Sequence, residues 1–187
     1  MLKIAFKEWA AVCGALADGT QTVILRKGGI AEVGGGFKPE HARFWLYPTH
    51  YHEQHRKGIQ PEAMRYLDAA EAEPRTPGTI RFAHYVDVAD VVFVNDLDAA
   101  LSLAEWHIWT PETVEQRFRY RTPGLYVLAV RVYAAPEIAV PELPTYEGCK
   151  TWVELDLELP DEGTPVLSDA EFARRLTAIR ERLSGSR

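Results

Sequence analysis

Three stretches of the chain carry side chains whose types and spacing could do chemistry. Thr49-His50-Tyr51-His52-Glu53-Gln54-His55 sets His50, His52 and His55 close enough to share one divalent metal, since neutral imidazole is the commonest zinc ligand. Arg26-Lys27-Gly28-Gly29 joins two cations to glycines that let backbone N–H groups approach an anion, which is chemistry for a phosphate. Trp106-His107-Ile108-Trp109, then Arg117, Phe118, Arg119, Tyr120 and Arg121, with Arg131 and Tyr133 beyond, interleaves rings that stack on unpaired bases with guanidiniums that hold phosphates. Each has a plainer counterpart: a solvated histidine-rich loop, a basic turn needing positive φ, and core-facing rings beside surface arginines.

Weaker candidates follow. Cys149 stands between Gly148 and Lys150, whose charge would favour a thiolate, but a cysteine beside a strand start is more often a buried structural one. Glu154, Asp156 and Glu158 alternate along one segment, a pattern that fits acid/base carboxylates or the wet face of a soluble edge strand. No Walker loop and no dinucleotide fingerprint is present.

The elements that must position these groups fit one domain, residues 1–187, with 160–187 as a linker and a capped C-terminal helix. Apolar residues make up 47% and charged residues 26%, an ordinary globular balance. The apolar runs are too short to span a bilayer, and the first residues lack a signal-peptide pattern. Two cysteines without such a signal read as reduced thiols, so a cytoplasmic location without membrane contact is expected. A net charge of −6 gives no overall pull toward phosphate backbones, although a local basic patch can still bind them.

Along the chain, Phe6, Trp9, Ala10, Val12, Cys13 and Leu16 recur at helical spacing and predict a helix over 6–16 that stops at Asp18-Gly19. Strands are predicted over 20–25, 41–47, 79–85, 88–94 (the last two open to being one bent strand), 124–133 and 151–159. Pro48 should end the second, and Pro136, Pro141 and Pro144 mark a connector. Helices are expected after Pro61, after Asp96, from Thr110-Pro111 to about 119, and from the capping box Ser168-Asp169-Ala170-Glu171 onward. Without βαβ alternation, the fold class is α+β, a mixed or mainly antiparallel curled sheet, or a partial barrel, with helices packed against it.

Three resemblances bear on this pattern. The histidine cluster resembles the metal motif His-x-His-x-Asp-His of the metallo-β-lactamase superfamily but has Gln54 where that motif has aspartate. The blocks Phe6-Lys7-Glu8-Trp9, Leu25-Arg26-Lys27-Gly28-Gly29-Ile30, Leu46-Tyr47-Pro48-Thr49, Arg131-Val132-Tyr133 and Gly148-Cys149-Lys150-Thr151-Trp152-Val153-Glu154-Leu155 resemble the uncharacterised bacterial domain of unknown function 1802, up to about residue 159. That resemblance implies no assigned activity. It implies a link to restriction and modification through the endonuclease-like domains fused to some members, and it shares the His52 position rather than the whole trio. Gly19-Thr20-Gln21-Thr22-Val23-Ile24-Leu25-Arg26 is similar to a strand of PUA-like or ASCH folds, small barrels that bind RNA or modified bases.

The leading expectation is a nucleic-acid-associated binding module, using Arg26, Lys27, Gly28, Gly29, His52, Arg117, Arg131 and Lys150 for anions and Trp109 or Tyr47 for stacking. The alternatives are a metal-dependent hydrolase or nuclease with a divalent ion on His50, His52 and His55, and a protein-interaction domain or homo-oligomer.

Overall fold

Why the N-terminal segment is not the predicted helix explains much of the architecture. The computed structural model describes residues 1–27, 41–50, 53–148 and 150–184, with the side chains of 53–55 left aside. Within it β1 (Leu2–Trp9) is a strand, and only from Ala10 does the chain turn into α1 (Ala10–Ala17). β1 lies between two partners, parallel to β3 (Arg43–Thr49) and antiparallel to β6 (Trp152–Leu159). Two full ladders outweigh the helical spacing of Phe6 and Trp9, which serves a strand as well as a helix.

The sheet runs in the order β2 (Val23–Arg26), β5 (Leu125–Pro141), β4 (Thr79–Val94), β3, β1, β6, and β7 (Thr164–Pro165) adds to β5. β1 with β3 is its parallel pair; the other pairings are antiparallel. β2 and β6 end the path, so the sheet is mixed, curled and unclosed, as the α+β expectation has it.

β4 takes one of the two forms left open, and β5 corrects an expectation. The 79–94 stretch is one bent strand, with register shifts between Phe82 and His84 and between Val88 and Asp90. β5 continues through the expected connector to Pro141, and Pro136 falls beside the first shift, where its missing N–H breaks no ladder bond. β3 likewise continues past Pro48, which sits opposite Glu8, and ends at Thr49.

The bent ladder serves two cores. One gathers Phe6, Leu16, Ile24, Phe44, Trp109, Phe118, Leu128 and Ile179 under the helices α2 (Met64–Ala72), α3 (Leu97–Leu101), α4 (Pro111–Arg119) and α5 (Asp169–Ser184), together with α1. The other is a ring cluster of Trp45, Tyr47, Phe82, Tyr85 and Tyr146, mostly edge-to-face. The predicted caps are present: Asp96 accepts from the Asp98 amide, Thr110 from the Thr113 amide, and Ser168 from the Glu171 amide. No helix among the described residues is long and apolar enough to cross a membrane.

Candidate functional site

β1 and β2 each bring one charged side chain to the helix-covered side of the sheet. Alternation puts Phe6 and Glu8 on one face of β1, and Glu8 is only 4% exposed. Its carboxylate accepts from the Trp9 amide at 2.9 Å and faces Arg26 Nη1 at 3.7 Å. Arg26, the last residue of β2, lays its guanidinium 4.7 Å from the Phe6 ring centre and donates from Nη2 to Thr151 Oγ1 at 2.8 Å. Thr49 and Cys13 hold the Glu8 carbonyl, at 3.0 and 3.8 Å, which fixes the end of β1.

The second arginine arrives from a helix. Thr110 caps α4 and Pro111 occupies its first position, and Arg117 two turns on lies over Trp109, 3.9 Å from the ring centre. Trp109 is 1% exposed and meets Trp9 edge-on at 4.8 Å, and Trp9 in turn lies 5.7 Å from the Arg117 guanidinium. Trp109 is itself fixed by its backbone. Gln60 Nε2 fans to the carbonyls of Ala104, His107 and Trp109, while Gln21 Oε1 accepts from the Ile108 amide.

Two guanidiniums and one carboxylate leave a surplus of one positive charge in a half-buried place. Arg26 spends its hydrogen bonds on Thr151 and its charge on Glu8. Arg117 makes ring contacts but no hydrogen bond or ion pair among the described residues. Burial works against its charge, Glu8 supports it, and Arg26 opposes it. A guanidinium stays protonated at any ordinary pH, so the cost is carried as an unmet demand for acceptors. His107 adds to this demand: its Nδ1 accepts from the Trp109 amide at 3.1 Å, and its buried Nε2 has no partner. The buried Trp152 indole N–H, on a ring packed edge-on against Phe6, has none either. What remains unspent here is donor capacity, which suits a ligand rich in acceptors.

The other predicted residues take separate places. Lys27 donates to the carbonyls of Phe118, Thr122 and Gly124, at 2.6 and 2.8 Å for the first and last, and so ties the last turn of α4 to the loop that follows it. Arg131 pairs with Asp169 and lies 5.5 Å from the Phe172 ring, which docks α5 on the sheet. Lys150 donates to the Thr145 carbonyl at 3.0 Å on the exposed side of a turn. The face of Trp109 is covered by Arg117, and Tyr47 is 3% exposed with its hydroxyl donated to Glu142 at 2.8 Å, so neither ring offers a free face for a base. Gly28, Gly29, His52 and Cys149 lie outside the described residues.

Tyr47 and His50 border a separate cleft of about 1630 Å³ between α1, α2 and the far end of the β4–β5 ladder. Burial, then nearby Arg75, pushes the His50 imidazole below its usual range, and burial does the same to His84 in the same cleft. No group of three or more His, Cys, Asp or Glu that could hold a metal occurs among the described residues, and of the histidine trio only His50 has a described side chain.

Glu8 and Thr151 are not among the site residues expected from sequence, and His107 is there only as part of the aromatic run. The first two do fall inside blocks that resemble one family, Phe6-Lys7-Glu8-Trp9 and Gly148 to Leu155, and Arg26 falls in a third. Compared with family models, the sequence matches the model described as "Domain of unknown function (DUF1802)" over residues 5–178. The chain belongs to the DUF1802 family. The DUF1802 match passes the 159 boundary and takes in most of α5. No curated protein matches the chain. Among solved structures, it is similar to a serine-to-alanine mutant of ZmASCH from Zymomonas mobilis, at 12% identity, 94% coverage of both chains and a TM-score of 0.49. ASCH from the same organism matches at 12% identity, covering 94% of this chain and 93% of that one, with a TM-score of 0.46.

Proposed function

We propose that this DUF1802 chain is a nucleic-acid-associated binding module that holds a backbone phosphate at Arg26 and Arg117. One observation carries the reading: Arg117 is held 3.9 Å over the centre of the Trp109 ring with no hydrogen bond or ion pair among the described residues, beside a second guanidinium already set in place. Stacking fixes the plane of a guanidinium in advance, so little side-chain entropy is lost when its edge meets the two oxygens of a phosphate. Glu8 favours the two arginines' charges without filling the acceptor role, because its oxygens serve the Trp9 amide and Arg26.

The test is a titration of labelled 10- to 20-nucleotide oligonucleotides, single- and double-stranded, by fluorescence anisotropy at low salt. The wild-type chain should form a complex that weakens as salt rises. Arg117→Ala should weaken it by about 10-fold, the worth of a charge-assisted hydrogen bond of roughly 1.4 kcal/mol. Arg117→Lys should fail to restore it, since an ammonium neither stacks flat nor offers a fork. A wild-type chain that binds neither strand form at low salt removes the reading.

A further inference from the structure

The register across one end of the sheet sets Arg26 opposite Tyr126, and Tyr126 opposite Phe93. Directly opposed residues of antiparallel strands point to the same face, so these three form one row, and two strand spacings place its ends about 10 Å apart. Phe93 is 50% exposed, one of few large apolar side chains left so open. Its ring meets that of Tyr126 at 4.9 Å and 53°. Beneath it lies Gly124, with φ of +128°, where a Cβ would come within 2.3 Å of the Phe93 ring. The glycine lets the backbone pass close against the ring, while half of the side chain stays exposed.

We infer that Phe93, backed by Tyr126, forms a stacking platform for unpaired bases, so that the ligand of the paired-arginine site is single-stranded nucleic acid. The inference rests on the phosphate reading above and adds to it the strand form and the base-contacting residues. The row runs from an exposed ring, through a second ring, to the strand that ends in Arg26. Its complement therefore pairs flat apolar faces with anionic groups at short, regular spacing. Unpaired nucleotides have that form, whereas a duplex hides its base faces in the stack. Two rings bounded by charge are too narrow for the apolar centre of a stable protein interface.

The experiment compares three probes of equal length by anisotropy: a single-stranded oligonucleotide, its duplex, and an abasic sugar-phosphate strand. Expected is a wild-type preference for the single strand. Phe93→Ala should weaken that complex by about 5- to 150-fold, the range for losing one stacked base, and leave the abasic complex unchanged. Phe93→Trp should retain binding, and Leu157→Ala, an exposed apolar residue on the edge strand β6, should have no effect. Melting curves of each variant confirm folding. If Phe93→Ala binds the single strand like wild type while Arg117→Ala weakens all three probes, the platform is overturned and the phosphate reading stands. Equal affinity for duplex and single strand also overturns it, and no binding of any probe overturns both.

Discussion

Beneath the paired arginines, His107 is kept neutral by its surroundings, with consequences for stability. Burial first, and then Arg117, lower its pKa to about 4. In the unfolded chain the imidazole titrates near 6.5, so at pH values between the two it is the unfolded chain that takes up the proton. Stability tied to a neutral His107 is therefore complete above about pH 6.5 and is lost as pH falls toward 4, by on the order of 3 kcal/mol. Urea unfolding at half-unit pH intervals should show this decline, and His107→Gln should flatten it. His50 and His84, also held below their usual range, act in the same direction and leave a residual slope. Carboxylates held low by partners, such as Glu171 at about 2 beside Arg174 and Arg175, lose their share only at lower pH. An unchanged profile in His107→Gln would mean that the ring is not held neutral. At this scale the sequence marks Arg26, Trp109 and Arg117 by residue type. Beyond the family-like blocks that contain them, it gives no role to Thr151, whose hydroxyl meets Arg26 across 125 positions, or to Glu8, whose burial follows from pairing on both sides of β1.

Elements explain why two cations adjacent in sequence do different work. Arg26 closes β2 and faces the site, while Lys27 leaves the strand and reaches the Phe118 carbonyl in the last turn of α4 and the Gly124 carbonyl beyond it. The last carbonyls of a helix lack partners within it, and an ammonium placed there meets both their hydrogen bonds and the helix dipole. Lys27→Ala should thus lower the unfolding free energy by about 1–2 kcal/mol in urea melts. Its oligonucleotide affinity, measured where the variant is fully folded, should stay within about twofold of wild type, against a tenfold loss for Arg117→Ala. A stable Lys27→Ala chain with weakened binding would restore the expectation that Lys27 holds an anion. Element types were largely legible: the capped helices fall where Asp96, Thr110-Pro111 and Ser168 set them. β1 and the far half of β5 were not, because Phe6 and Trp9 satisfy helical spacing and Pro136 reads as a breaker. A register shift absorbs that proline, and no single-strand pattern can announce a shift made with another strand.

For the molecule as a whole, a net charge of −6 opposes a polyanion everywhere except at a local site. Binding through Arg26 and Arg117 then involves few phosphates. The logarithm of the association constant should fall with that of salt at a slope of about −0.7 to −1.4, one or two contacts on a single strand. Anisotropy titrations across 50–300 mM salt, about the range over which such slopes are read, would give it. A slope several times steeper would point to an extended basic track instead. The two-core sheet was legible as a class, α+β and curled, but its order was not, since nothing local to β1 says that its neighbours are β3 and β6.

That order also sets when the site comes into being. Glu8 belongs to the first strand made and Thr151 enters just before the sixth, and β1 stays without one neighbour until β6 is available. During synthesis an exposed edge, Phe6 among it, waits for almost the entire chain, a long-range closure of the kind that slows folding and invites misassociation. Binding competence is thereby tied to completion: a ribosome-bound fragment lacking β6 would carry both arginines yet no finished pocket for them.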